Sequence, residues 1–119
     1  DSRLITQLIS LFPHGAQSYN LEQPADLVDL SINLAFFQFA NGELFLESSY
    51  RFFNDEQSLP LQQSVLALAQ MLKLKVTPTV GYPGWQPDFS SPLLAKGIAL
   101  HKKMFGSNPA VKAIHAGLE

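Results

Sequence analysis

An α+β fold, in which helices cover one face of an antiparallel sheet, is predicted by three observations. Two runs of alternating apolar and polar residues between Asp26 and Phe53 flank Asn41-Gly42, a strong hairpin signal. Apolar residues at helical spacing occupy residues 2 to 12 and recur at Leu61, Val65, Leu68 and Leu72. A further β-type run, Val76 to Tyr82, follows the second of these helices. The order helix, strand, strand, helix, strand closes as such a sheet.

Each element can be justified in turn. Leu4, Ile5, Leu8, Ile9, Leu11 and Phe12 make the first helix, which Pro13 and Gly15 stop. Residues 13 to 25 hold Pro, Gly, Ser and Asn without a period and read as a connection. In the hairpin, a two-residue loop would place Glu47 and Arg51 beside Ile32, Leu34 and Phe36. A three-residue loop over Ala40, Asn41 and Gly42, with Gly42 left-handed, removes that conflict. Leu30, Ile32, Leu34 and Phe36 then share a core face with Leu44, Leu46, Tyr50 and Phe52, and Asn33 opposes Ser49. The other face carries Ser31, Asn33, Glu47, Ser49 and Arg51 between Phe37, Phe45 and Phe53. Asn54-Asp55-Glu56 reads as a turn, and Ser58 as the cap of the second helix. Pro78 pushes the Val76 to Tyr82 strand to a sheet edge, which leaves open whether it pairs with a second subunit in a homodimer. Taken together the order is most of a ferredoxin-like unit.

Tyr82 to Pro92 holds three prolines, a glycine, the sole tryptophan and two serines, the composition of an ordered connection between two bodies. Beyond it, Ser91-Pro92 opens a helix with Leu94, Ile98, His101 and Phe105 on one side, and Gly106 ends it. Ala110 to His115 alternates as a short strand. A helix and a strand with nothing to pack on suggest a piece of something longer.

With 119 residues, 46% of them hydrophobic, the chain can build one core. A net charge of −2 leaves no basic footprint for nucleic acid. The absence of cysteine excludes disulfides and thiolate metal sites and fits a reducing compartment. No apolar run reaches membrane-spanning length, and residues 1 to 12 do not read as a signal peptide, so a soluble cytoplasmic protein is expected.

The three histidines, His14, His101 and His115, form no close metal-ligand pair, so no complete metal site is expected within the chain. His101 reads as a packed or surface residue and His14 as a loop residue. His115 ends the short strand before Ala116-Gly117, where side chains often face a cleft. No G-x-S-x-G, phosphate loop or cysteine nucleophile is present. Arg51 is the best single candidate for recognition, because its guanidinium fork suits a carboxylate, although a cross-strand or solvated arginine fits the same spacing. Trp85 could serve as a binding platform or anchor the connection.

Three stretches resemble one family. Gly81-Tyr82-Pro83-Gly84-Trp85-Gln86-Pro87-Asp88, with Ser91-Pro92 after it, and Ala113-Ile114-His115-Ala116-Gly117-Leu118-Glu119 resemble segments of the bacterial aminoacyl-histidine (Xaa-His) dipeptidases, or peptidase D. The hairpin resembles that family's pattern more loosely, through Leu30 to Asn33 and Tyr50 to Phe52. The resemblance implies a zinc dipeptidase with two metal ions, whose ligands and glutamate base lie outside the matching region. It implies that residues 1–82 are the later half of a lid domain, 83–90 a connection, and 91–119 a helix and strand of the catalytic domain. It further implies substrate-binding roles for Arg51, His115, Gly117 and Glu119, with Arg51 taking the substrate carboxylate. The expected partners are a dipeptide such as carnosine and the remainder of the catalytic domain; such a piece alone would be inactive. A different reading of the same residues is a stand-alone ferredoxin-like binding or dimerisation module.

Overall fold

A computed structural model describes residues 2–21 and 27–116. Helix α1 (Ser2–Leu11) leads into strand β1 (Gly15–Tyr19); β2 (Val28–Ala40) and β3 (Glu43–Phe52) form the hairpin; α2 (Asp55–Met71) and α3 (Pro92–Phe105) follow. The three strands make one antiparallel sheet in the order β1-β2-β3. This is the expected α+β class, but its third strand lies elsewhere. The supposed connection over residues 13 to 25 contains β1, whereas Val76 to Tyr82 and Ala110 to His115 form no strand. Val76, Val80 and Tyr82 are exposed. β-Branched and aromatic content favours a strand but does not make one without backbone pairing, and Val76 to Tyr82 pairs with neither edge of the sheet.

The hairpin turn has two residues, not three. Asn41 and Gly42 both adopt positive φ, 54° and 80°, the type I′ geometry that suits strand twist. Ala40 pairs with Glu43, and the ladder runs without a break to Phe36 opposite Glu47. A bulge at Ala35 then shifts it, so that Leu34 opposes Ser48 and Asn33 opposes Ser49. Below the bulge, Leu30, Ile32 and Leu34 share the core face with Tyr50 and Phe52, as the spacing predicts. Above it the faces exchange: Phe37, not Phe36, packs toward the core with Leu44 and Leu46, while Phe36 meets Phe45 edge-on at 5.8 Å on the outer face. His14 supports the irregular point, since its Nδ1 accepts the Leu34 N–H at 3.1 Å.

The core lies on one side of the sheet. Leu8 and Phe12 from the first helical segment and Leu61 and Leu68 from α2 close over Leu30 and Ile32. Ile32 is 1% exposed, and burial of such a side chain stabilises by about 1.5–3 kcal/mol. Asn54, not Ser58, caps α2: its Oδ1 accepts the Glu56 N–H at 2.8 Å, with Asp55 and Glu56 in the favourable first turn. Ser58 is buried within the helix, its hydroxyl donating to the Asp55 carbonyl and accepting from Gln62. At the other end Lys73 turns left-handed, and the Lys73 and Leu74 N–H groups return to Gln70 and Ala69.

Helix α3 has Pro92 in its first turn and ends on left-handed Gly106, whose N–H bonds the Lys102 carbonyl. None of its residues is buried, and the described chain extends over 64 × 25 × 24 Å. His101 packs on Phe105 near the helix end and its Nδ1 lies 3.0 Å from the Ser107 carbonyl, a packing role. No helix among the described residues is long and apolar enough to cross a membrane.

Candidate functional site

The sheet face away from the helices is polar at the base of the hairpin, and the chain after α3 returns to it there. Arg51 on β3 is exposed and is the direct cross-strand partner of Ser31 on β2. The Ser31 hydroxyl lies 2.6 Å from His115 Nε2. Asp29, two positions along β2 and therefore on the same face, is 5% exposed. Its carboxylate accepts from the Ser18 hydroxyl and from Gln57 Nε2 at 3.2 Å. Two residues singled out in the sequence, Arg51 and His115, thus meet in space. Ser31 and Asp29 complete the group.

Phe53 corrects the predicted outer face. It is buried, not exposed, because the His115 ring lies against it at 5.9 Å and the connection covers its backbone. Gly84 is what permits that cover: a β-carbon there would fall 2.6 Å from the Phe53 carbonyl oxygen and 2.8 Å from the Phe52 ring. The Gly84 N–H donates to Asp55 Oδ1 at 3.0 Å, fastening the connection where β3 passes into α2. Beside it runs a groove of about 200 Å³, lined by Phe52, Phe53, Pro83, Trp85, Lys112 and Ile114 among others. Trp85 is 63% exposed, so glycine and not tryptophan does the fastening.

Burial pushes the His115 pKa below the ordinary histidine value, and the Arg51 guanidinium pushes it the same way. Asp29, and a hydrogen bond to the Val28 backbone, act against this with smaller effect. Arg51 therefore outweighs Asp29 in its effect on the imidazole. Such a place suits an anionic ligand group, and a guanidinium can take a carboxylate in a bidentate grip.

Among the described residues no three His, Asp or Glu side chains come together as metal ligands. Those residues do not fit a zinc centre of their own. Gly117 and Glu119 lie outside the described residues.

No protein-family profile matches the chain. A cytosol non-specific dipeptidase of Escherichia coli (strain K12) is 25% identical over 113 residues, which are 95% of this chain and 23% of that protein. The crystal structure of an aminoacylhistidine dipeptidase from Vibrio alginolyticus matches the fold with a TM-score of 0.83 at 21% identity, covering 99% of this chain and 24% of that one. The chain spans about a quarter of the length of each of these proteins. Both are dipeptidases, the kind of protein that the Gly81–Asp88 and Ala113–Glu119 motifs resemble.

Proposed function

We propose that this chain is one stretch of a peptidase D-like dipeptidase, in which residues 1 to about 82 belong to a lid and residues from about 91 to a catalytic domain. The observation that carries the reading is a match to dipeptidases in sequence and in fold over nearly the whole chain. The match continues through α3 and the segment after it, which disfavours a stand-alone sheet module. The reaction is hydrolysis of an Xaa-His dipeptide such as carnosine in a cytoplasmic enzyme, with two zinc ions held by ligands beyond the described residues. Bound zinc would activate the attacking water.

The role of this part is binding. Arg51 holds the substrate's terminal carboxylate at the base of the hairpin, and substrate-binding roles for His115, Gly117 and Glu119 follow from the resemblance. Neutral imidazole beside the guanidinium leaves the positive charge to Arg51 without a second cation to be desolvated. Loss of a charge-paired partner in a desolvated site costs on the order of 2–5 kcal/mol.

The test uses the longer protein that contains this sequence. Arg51→Ala should lower kcat/KM on a His-terminated dipeptide by roughly 30-fold or more, with metal content and melting temperature nearly unchanged. Arg51→Lys should recover only part, since an ammonium keeps the charge and loses the fork. Dipeptide hydrolysis that ignores a chelator, or an Arg51→Ala variant of near-native kcat/KM, would overturn the assignment.

A further inference from the structure

Residues 107–116 contain neither helix nor strand, so no ladder of backbone bonds holds them to the sheet. His115 supplies the attachment. Its Nε2 lies 2.6 Å from Ser31 Oγ, and its ring packs on Phe53. In a neutral imidazole with the proton on Nδ1, Nε2 accepts from the Ser31 hydroxyl. Ser31 is in turn held by strand pairing directly opposite Arg51. The hydroxyl therefore links the ladder, the imidazole and the guanidinium's neighbourhood.

We propose that Ser31 is a positioning residue whose hydroxyl pins His115, and with it residues 109–116, against the sheet beside Arg51. The charged groups acting on the imidazole are Arg51 from β3 and Asp29 from β2, and Lys112 lies on the pinned segment itself. Burial and Arg51 keep the ring neutral, while Asp29 opposes them. The pin stands whatever reaction the longer protein carries out; its effect on substrate binding rests on the dipeptidase reading.

The pin is tested by nitrogen-15 NMR of the 119-residue chain with Ser31→Ala, Ser31→Thr and His115→Ala. In the unaltered chain His115 should be the Nδ1-protonated tautomer, with residues 109–116 nearly as ordered as the strands. Ser31→Ala should mix the tautomers, raise the His115 titration toward the ordinary value, and loosen the segment. The docking equilibrium should shift by about 3- to 10-fold, the range for one net hydrogen bond. Ser31→Thr keeps the hydroxyl on a side chain suited to a strand and should restore all three readouts. A Ser31→Ala chain with unchanged tautomer, titration and order overturns the proposal. If that variant does not fold, His115→Ala decides: a mobile segment on an intact hairpin supports the pin, and a docked one overturns it. In the longer protein, Ser31→Ala should raise KM by about the same 3- to 10-fold and leave kcat nearly unchanged, with recovery in Ser31→Thr. An unchanged KM beside a loosened segment would sink the catalytic consequence and leave the pin standing.

Discussion

The Ala35 bulge divides the hairpin into two halves, and the half richer in apolar residues is the less buried. Below it, Ile32 and Leu30 lie under the helices while Ser31 and Arg51 face His115. Above it, Phe36, Phe39 and Phe45 are about half exposed. Apolar content does not assign burial. What assigns it is how closely another element covers that part of the sheet: above the bulge Phe37, Leu44 and Leu46 pack only partly against the core, and the returning segment meets the base.

The comparison breaks most sharply at its two extremes. Ile32→Ala should destabilise by about 2–5 kcal/mol in urea unfolding, whereas Phe39→Ala should cost less than about 1 kcal/mol. Similar costs at both positions would mean that the tip is covered as thoroughly as the base. The covering segment can be tested next. Gly84→Ala drives a β-carbon into the Phe53 carbonyl, and an overpacked site of this kind costs typically about 1–3 kcal/mol. Gly81→Ala meets nothing within 4 Å and should be nearly silent, so the pair isolates the contact. At the tip, Gly42→Ala forces a methyl group into positive φ at a cost of about 1–2 kcal/mol, with the base of the sheet unchanged by NMR.

The smallest effect is the pH dependence at the base. Because the folded pKa of His115 lies below the ordinary value of 6.5, the unfolded chain binds more protons in the interval between the two. Stability present above 6.5 therefore falls as pH drops through that interval and levels off below the folded value. Urea midpoints compared between about pH 7.5 and about pH 5 should fall more for the unaltered chain than for His115→Gln. An equal fall in both would remove His115 from the account.

The sequence makes the base of the hairpin legible for a particular reason. A three-residue loop and a two-residue turn plus one bulged residue give the same offset, so Asn33 opposes Ser49 either way. The place of the extra residue is hidden, because Leu34, Phe36 and Phe37 offer apolar side chains to both faces. β1 is hidden too: Gly15, Ala16, Gln17 and Ser18 show no alternation, and backbone pairing with two irregularities defines the strand. Conversely, Val76 to Tyr82 has the composition of a strand but joins neither free edge of the sheet. At the site, the recognition potential of Arg51 follows from its residue type and face. The bond between Ser31 and His115 spans 84 residues, and no local pattern carries information over that separation.

The fastening of Gly84 to Asp55 has a mechanical consequence. Asp55 is the first residue of α2 and follows closely on the end of β3, so the connection is tied to the stiffest corner of the sheet. Reorientation of α3 relative to the sheet then pivots on that corner. The torsions of residues 85–91 before the helix and of residues 107–114 after it supply it, and the rings of Pro87 and Pro109 lock one torsion each. A turn of α3 about that corner is limited by a second tether, His115 at Ser31, so the chain is held to the sheet both before and after the helix.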